Sequence, residues 1–439
     1  MKRFLHVIFL AVMCFFAVNV SAREYTMDEY LAMVERNNPD LLTMLKDIEL
    51  AKTSATMARS VFFPRAGIQG GYNRNFIEQT QSTAVASTGP GPLVFQDIRS
   101  NFDNELIFGV GLSQVLFSAG AISNYNKAKL GQAIREQSFK AARQAIICAA
   151  KKLYVRAQLT LLVVEIMESS ERFSLEQYQR VERRYNVGAS TEMDLLSAEV
   201  NWRSKTDAVM EAKKNAELVL LALRDLAGIP HSETVSLIQT HTNLPEIPGI
   251  PNMDSILANR ADFRSILLFH DLTGLERKAA RNAFIPEISA SFNYALGYMN
   301  GNSDVPSNDY DFNSASLGIT INIPIMAGGA RLANMKAAKL QQEKSLIALS
   351  QKKTAIESEL LELQLRLHDA HQRFESSLRT VETARRAVAL AQSAYTNGQA
   401  TYLNVADAQD KMDLVWLNFA NVNAEYLSAY FDWELATGD

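Results

Sequence analysis

Hydrophobic and polar positions repeat with two different periods along this chain of 439 residues. Long segments place apolar residues three and four positions apart, which predicts helices, and the longest of them covers residues 120–187. Four shorter segments alternate apolar residues with small or polar ones, which predicts strands over about residues 66–76, 105–116, 287–298 and 315–325. The chain is therefore predicted to be mainly α-helical with a smaller β part.

The order of these segments occurs twice, which indicates an internal duplication. Each copy begins with a helical part, continues through two strands to a very long helix, and ends with a shorter helix. We assign residues 23–228 to the first repeat, residues 253–439 to the second, and residues 229–252 to a proline-spaced connecting segment. The segments between the paired strands, residues 79–103 and 300–313, lack an apolar period and are predicted to be irregular loops.

A short motif ends the very long helix of each repeat. The motif is Tyr-x-x-Gly-x-x-Thr, and its fixed residues are Tyr185, Gly188 and Thr191 in the first copy and Tyr395, Gly398 and Thr401 in the second. Glycine tolerates the left-handed backbone that closes a helix, and threonine supplies a side-chain oxygen to the free amides of the next helix. Each motif therefore predicts a sharp turn between two long helices.

The first 22 residues have the composition of an export signal. Two basic residues precede an apolar run, and Val20-Ser21-Ala22 forms a small-residue cleavage site. We predict a signal peptide over residues 1–22. Of the two cysteines only Cys148 lies beyond it, so the mature chain is expected to have no internal disulfide.

Composition and motifs narrow the class of protein further. The formal net charge is -4, with no dominant basic face, which argues against a nucleic-acid partner. The sequence has no P-loop, no Gly-x-Ser-x-Gly and no Cys-x-x-Cys, so neither an enzyme nor a cofactor is expected. His368 and His371 share a helical face, but no third ligand is evident and we predict no metal site.

The four predicted strands are long enough to cross an outer membrane. An open four-stranded sheet in lipid would leave the backbone groups of its edges unsatisfied, which hydrocarbon does not tolerate. The chain is therefore expected to close a barrel with further copies of itself. Two copies would give about eight strands with little lumen, and three would give about twelve, so we favour a homotrimer in contact with outer-membrane lipid.

These features resemble the outer membrane efflux protein (TolC-like) family over nearly the whole mature chain. Besides the duplication and the two hairpin motifs, the resemblance rests on Asn-Pro-Asp-Leu at residues 38–41, on the paired Arg59 and Pro64 with their repeats Arg281 and Pro286, and on Gly-Gly-Ala-Arg at residues 328–331. It implies a trimeric 12-stranded outer-membrane β-barrel continued by a 12-helix periplasmic α-barrel. Residues 229–252 would lie in the equatorial region of that α-barrel.

The resemblance also implies partners and a place in the cell. The expected partners are a periplasmic adaptor, or membrane fusion, protein and an inner-membrane pump of the RND or ABC type. The expected location is the cell outer membrane, with a large periplasmic part. The six fixed residues of the hairpin motifs would form the periplasmic tip and contact the adaptor.

A constriction near that tip is the other expected site, with Asp194, Asn404 and Asp407 as its lining residues. The family gate uses an arginine and two acids, and Ala400, Asn404 and Asp407 stand at the matching positions, so only one of the three charges is present. A three-fold axis would arrange Asp194 and Asp407 as charged rings. Alternatively, both are ordinary first-turn carboxylates stabilised by the helix dipole. The sequence leaves both interpretations open.

These features lead to three functional hypotheses. The first is the exit channel of a tripartite efflux or type I-like secretion system, a passive conduit driven by a pump through an adaptor. The alternative is an envelope scaffold or adhesin in which the long helices form a stalk without transport. A passive diffusion porin is a weaker third, since it has little use for such long helices.

Overall fold

The structure is a computed structural model. It describes residues 23–77, 79–85, 94–100, 102–233, 235–238, 244–249, 251–300 and 309–438. The predicted signal peptide lies outside the described residues. No helix within these ranges is both long enough and apolar enough to span a membrane.

The described helices follow the duplicated order. They are α1 (Met27–Asn37), α2 (Pro39–Ser60), α3 (Ala119–Asn186), α4 (Glu192–Ala227), α5 (Met253–Asn259), α6 (Ala261–Asn282), α7 (Ala330–Thr396) and α8 (Tyr402–Thr437). In each repeat a short helix and a helix of 22 residues precede the strands, and a helix of 68 or 67 residues followed by one of 36 comes after them. The duplication predicted from sequence is present in the order and lengths of the elements.

The described strands form three sheets. The strands are β1 (Arg23–Tyr25), β2 (Arg65–Arg74), β3 (Gln79–Val85), β4 (Val94–Ser100), β5 (Asn104–Phe117), β6 (Val235–Leu237), β7 (Glu287–Asn300) and β8 (Asp309–Asn322). The main sheet is antiparallel and has the order β2-β5-β7-β8. The strand β1 pairs in parallel with β6, and β3 pairs antiparallel with β4.

Two segments expected to be loops contain strand. The expectation of an irregular loop over residues 79–103 is wrong, because β3 and β4 form a hairpin there. The strand β3 is rich in Thr, Ser and Gln, and β4 contains the charged residues Asp97 and Arg99, so the backbone pairing forms without the apolar alternation that indicates a strand. Likewise, β8 begins at Asp309 rather than near residue 315, because its backbone pairing with β7 extends through Asp and Asn residues that are typical of loops.

The chain divides into two compact units, and each is described by itself. One unit comprises Glu49–Ile134 and Leu268–Ile347 and contains the main sheet. Apolar residues of this sheet lie on one face and remain exposed, for example Ile68 at 72% and Ile319 at 69%. A sheet with an exposed apolar face needs a further apolar neighbour.

The other unit comprises the described parts of Met1–Ile48, Arg135–Leu267 and Ala348–Asp439. Its core includes Tyr30 on α1, Tyr154 on α3 and Leu223 on α4, all fully buried. The Tyr30 hydroxyl donates to the Leu223 carbonyl at 3.2 Å, and the centroids of the Tyr30 and Tyr154 rings lie 5.8 Å apart. These contacts hold α1, at the start of the first repeat, against α4, the last helix of that repeat.

In each repeat the last helix ends against the junction of the two helices that precede the strands, and we call this contact the closure of the repeat. The closures of the two repeats correspond. Gly228 ends α4 with φ of +61°, and a Cβ built on it would lie 2.8 Å from the carbonyl oxygen of Asn37. Gly438 ends α8 with φ of +83°, and its Cβ would lie 3.0 Å from the Cβ of Asn259. Glycine is required at both positions, because the backbone is left-handed and another segment passes close to it.

A buried polar side chain completes each closure. In the first repeat Asn38 donates to the Leu226 carbonyl at 2.9 Å, and in the second Arg260 donates to the Ala436 carbonyl at 3.3 Å. Since Leu226 and Ala436 both lie two residues before the glycine, the same kind of free helix-end carbonyl is satisfied in both repeats.

The positive charge of Arg260 is balanced locally. Its guanidinium donates to both carboxylate oxygens of Asp262, at 3.0 and 2.8 Å, and to Glu359 at 2.8 Å. Lys352 also reaches Asp262 at 2.8 Å. Burial by itself raises the pKa of Asp262, but the hydrogen bonds and charges of Arg260 and Lys352 outweigh it and hold the pKa well below its ordinary value of 3.8.

We expect the stabilisation by Asp262 to be lost in acid. A depressed pKa means that the ionised form is favoured by folding, so this contribution is complete above about pH 5 and declines as the pH falls below about 4. The thermal unfolding midpoint of Asp262→Asn should therefore lie below that of the wild type at pH 7, and below it by a smaller margin at pH 3. Asp47→Asn, at an exposed position of α2, is the control. An Asp262→Asn deficit of the same size at both pH values would contradict this assignment.

Candidate functional site

The first hairpin turn joins α3 to α4. Gly188 has φ of +71°, its amide donates to the Tyr185 carbonyl at 2.9 Å, and the Ala189 amide donates to the Arg184 carbonyl at 2.7 Å. These bonds satisfy the last carbonyls of α3. Apart from the glycine and its two chain neighbours, no heavy atom of the described residues lies within 4 Å of a Cβ built on Gly188. The turn is therefore open on the side of the glycine.

The second turn joins α7 to α8 with the same geometry. Gly398 has φ of +72°, its amide donates to the Tyr395 carbonyl at 3.1 Å, and the Gln399 amide donates to the Ala394 carbonyl at 2.8 Å. Again no described heavy atom lies within 4 Å of the Cβ position of the glycine. The two copies of the motif therefore form equivalent turns.

Asp194 has a defined structural role in the first turn. Its amide donates to the Thr191 hydroxyl at 3.1 Å, and its carboxylate accepts hydrogen bonds from the Thr191 hydroxyl at 2.8 Å and from the Thr191 amide at 3.3 Å. This reciprocal capping box begins α4. The hydrogen bonds with Thr191 lower the pKa of Asp194 against the opposing effect of partial burial. The carboxylate is therefore held ionised as a helix cap.

Asn404 and Asp407 have different hydrogen-bond and ion-pair partners at the second turn. The Asn404 side-chain oxygen accepts from the Thr401 amide at 2.9 Å and from the Thr401 hydroxyl at 2.7 Å, so Asn404 caps α8 much as Asp194 caps α4. Asp407 lies one turn further along α8 and pairs with Lys411 at 2.7 Å, with both side chains exposed. Of the three residues expected at a constriction, only Asp407 has a carboxylate that is not used in capping.

The tyrosines of the motif lie in different surroundings. Tyr395 packs against a small apolar cluster that includes Val181, Ala198 and Tyr402, and the Arg184 guanidinium lies 5.4 Å from the centre of the Tyr395 ring. Tyr185 is 39% exposed. The structure therefore brings Tyr395 into the contact between the two hairpins and leaves Tyr185 near the surface.

A buried ion cluster lies further along the same two hairpins. Lys205 on α4 contacts Asp413 at 2.6 Å and Asp410 at 2.8 Å, both on α8. The hydroxyl of Ser170 on α3 donates to Asp413 at 2.5 Å, and the side-chain amide of Gln409 donates to it at 2.9 Å. The cluster thus joins three helices from both repeats.

Two of the three charged side chains in this cluster are buried. The side chains of Asp413 and Lys205 are only 7% and 15% exposed, whereas that of Asp410 is 51% exposed. Burial by itself lowers the pKa of Lys205, but its hydrogen bonds to the two aspartates and their negative charges outweigh that effect and raise the pKa above its ordinary value of 10.5. Lys205 is therefore held as a cation by the two aspartates that it contacts.

The sequence interpretation missed this cluster, although a signal is present. Lys205 lies seven residues from Ala198 and from Ala212, and both alanines are buried. Asp413 likewise lies seven residues from the buried Ala406 and Ala420. A single charged residue at a core position of a heptad pattern often fixes the register of packed helices. Charges of opposite sign at such positions on two helices predict a buried pair.

The paired histidines do not face a common ligand. His368 lies 3.0 Å from the side-chain amide of Gln372, whereas the His371 ring packs against Tyr426 with centroids 5.6 Å apart. In the described part of the chain, no group of three or more His, Cys, Asp or Glu residues is arranged to hold a metal ion.

Comparison with known proteins identifies the family. The model of the family described as Outer membrane efflux protein matches residues 31–229 and 252–439. The alkaline protease secretion protein AprF of Pseudomonas aeruginosa is 23% identical over 331 residues, which are 74% of this chain and 66% of AprF. The outer membrane protein TolC of Vibrio cholerae is 21% identical over 335 residues, which are 74% of this chain and 69% of TolC. The chain thus spans about two thirds of the length of the curated relatives that it matches.

The fold has close counterparts among solved structures. The crystal structure of the Campylobacter jejuni CmeC outer membrane channel superimposes with a TM-score of 0.76 at 20% identity, over 94% of this chain and 85% of CmeC. The predicted fold class, a mainly helical, duplicated chain with a membrane β part, is confirmed, and so is the predicted outer-membrane location. Because the family model covers both repeats, the chain belongs to the outer membrane efflux protein family.

Proposed function

We propose that this protein is the exit channel of a tripartite efflux or type I-like secretion system in the outer membrane. It acts as a passive conduit without catalysis, and an inner-membrane RND or ABC-type pump drives transport through a periplasmic adaptor. The main support is that this chain, a member of the outer membrane efflux protein family, contains both an antiparallel four-stranded sheet with an exposed apolar face and two long helical hairpins. The names of AprF and CmeC, a secretion protein and an outer membrane channel, support the same role.

The proposed working form is a homotrimer. Four strands in one chain leave two sheet edges, and three chains would supply about twelve strands to a closed barrel in outer-membrane lipid. In this proposal residues 1–22 are a removed signal peptide, residues 23–228 and 253–439 are the two repeats, and residues 229–252 connect them in the equatorial region. The four strands of the main sheet cross the membrane.

The hairpin turns are proposed as the adaptor contact. Both glycines, Gly188 and Gly398, are open to an approaching partner, and Val187 beside the first is 79% exposed. Tyr185, Thr191 and Thr401 shape the turns, and Tyr395 holds the second turn against the first hairpin. A photo-reactive residue at position 187 should therefore cross-link to the adaptor in intact cells.

Single-channel conductance in a planar bilayer tests the conduit directly. We expect the purified protein to insert and give discrete conductance steps, because a closed barrel continued by a tunnel is a water-filled path. An envelope stalk or adhesin would give none. If the protein conducts in the bilayer and cells export substrate through it only when the pump is present, the passive porin is excluded as well.

Asp407 is proposed to line the constriction, together with Asp194 and Asn404. Three copies of an exposed carboxylate around one axis attract cations. We therefore expect Asp407→Asn to lower the cation-to-anion permeability ratio by about twofold or more, measured as a reversal potential in a salt gradient. Glu375→Gln, at an exposed position of α7, should leave the ratio unchanged. An unaltered ratio in Asp407→Asn would remove this residue from the constriction.

A further inference from the structure

The second face of the main sheet changes in character along its length. Successive residues of a strand point to opposite faces, and residues paired across antiparallel strands point to the same face. The pairings therefore define a face opposite to the one that carries Ile68 and Ile319. Its middle rows are Arg65, Ser113, Ser291 and Gly318, then Gly67, Gly111, Asn293 and Ser316, then Gln69, Gly109, Ala295 and Ser314. Most of these side chains are small, so this part of the wall is thin.

Two further rows of the same face carry larger apolar side chains. They are Gly71, Ile107, Gly297 and Phe312, followed by Asn73, Glu105, Met299 and Tyr310. These rows lie at the end of the sheet where β5 begins and β7 ends, whereas the helices α2, α3, α6 and α7 join the strands at the other end. Because the long helices are periplasmic in the proposed channel, the two rows lie at its extracellular end.

Three aromatic rings form a connected group on these rows. The ring of Phe312 lies directly over Gly297, where a Cβ would overlap it, so glycine is required beneath the ring. Tyr310 stacks against Phe312 with ring centroids 6.2 Å apart and planes inclined by 26°, and the centroid of the Phe102 ring lies 6.5 Å from that of Tyr310. Both separations are typical of aromatic pairs. Tyr310 remains 55% exposed, so much of its ring is open to the space in front of this face.

We propose that Tyr310 and Phe312, with Phe102 packed beside them, form an aromatic collar at the extracellular end of the barrel that limits the size of molecules entering the lumen from outside. The inference rests on the proposed channel, because only a closed barrel places this face around a lumen. The exposed apolar face with Ile68 and Ile319 suits lipid, which directs the opposite face inward. Large rings above a wall of small side chains make the collar narrower than the barrel beneath it.

Labelling of a cysteine placed below the collar measures its width. In a Cys148→Ala background the mature chain contains no other thiol, so Ser316→Cys, on the thin part of the wall, is the single target for a maleimide. Maleimide-polyethylene glycols of graded size, all too large to diffuse through general porins, are added to intact cells. The shift of the protein on a denaturing gel reports the labelled fraction over time.

Two pairs of substitutions in this background test the collar. Tyr310→Ser with Phe312→Ser removes its rings and should raise the labelling rate by the largest reagents about tenfold, with little change for the smallest. Tyr298→Ser with Phe108→Ser is the matched control, because it removes the same two side-chain types at the same level of the sheet but from the opposite face. The control should leave every rate unchanged. Tyr310→Ser alone, at an exposed side chain, is the milder variant if the first pair fails to assemble, and it should act in the same direction.

The other outcomes separate the collar from the channel. Equal rates at every reagent size in the collar variants and in the unsubstituted background would overturn the collar. Reaction of Ser316→Cys only after denaturation, even with the smallest reagent, would show that this face does not line an open lumen and would overturn it as well. If the protein gives either result and still conducts in a planar bilayer, the channel stands and only the collar is lost. If it neither conducts nor reacts, the proposed function is lost with the collar.

Discussion

Replacing Lys205 with methionine is expected to lower the free energy of unfolding by about 3–5 kcal/mol, because removal of one partner leaves a buried charge uncompensated. The Asp413 side chain is only 7% exposed, so water cannot replace the lost ammonium group. Methionine retains most of the volume of lysine, so packing changes little. The urea dependence of the helical circular dichroism signal measures the effect.

Two further variants make this expectation specific. Lys213→Met removes an ammonium group that is 57% exposed and paired with Glu168, and it should change the free energy of unfolding by less than about 1 kcal/mol. Lys205→Met combined with Asp413→Leu removes both buried charges and should recover much of the lost stability. If Lys205→Met unfolds at the same urea concentration as Lys213→Met, the buried cluster does not hold the hairpins together.

Replacing Gly228 with alanine is expected to cost about 2–5 kcal/mol, from left-handed backbone strain and from a forced contact. The new Cβ would lie 2.8 Å from the backbone oxygen of Asn37, which cannot rotate away as a side chain would. Either the end of α4 or the junction of α1 with α2 must then move. The thermal unfolding midpoint should fall accordingly.

Gly188→Ala is the matched control for this variant. Gly188 has φ of +71° against +61° at Gly228, so the backbone strain is similar, but no described heavy atom lies within 4 Å of its Cβ position. It should therefore lose only the strain component, about 1–2 kcal/mol. Equal losses in the two variants would show that the contact with Asn37 contributes nothing.

The sequence predicts the hairpin turns well because their determinants are local. A glycine that ends a helix and a threonine that begins the next one act through bonds to residues within a few positions, as Gly188 and Thr191 do. The same locality explains Asp194, which is used as the cap that first-turn carboxylates often provide. Its place in a constriction remains a proposal.

The closures of the repeats and the ion cluster depend on residues far apart in sequence. Gly228 is recognisable as a helix end, but its close approach to Asn37 requires the packed structure. The partners Lys205 and Asp413 are separated by 208 residues, and neither has a local pattern that names the other. Their heptad positions indicate burial, and only the packing of α4 against α8 brings the opposite charges together.

The resemblance to the family did not predict how these hairpins are held together. The position that carries an arginine in the family gate is Ala400, which has no charged group. The contact of Arg184 with the Tyr395 ring and the cluster around Lys205 lie between the hairpins instead. The cluster around Lys205 is buried and favours a fixed register of the helices there.

The most direct test of the proposed channel is the mass of the mature protein extracted from outer membranes in mild detergent and corrected for bound detergent. We expect a mass of three chains, because four strands per chain close as about twelve in lipid. A mass of one chain, or recovery of the protein in the soluble periplasmic fraction, would contradict a shared barrel and the conduit with it.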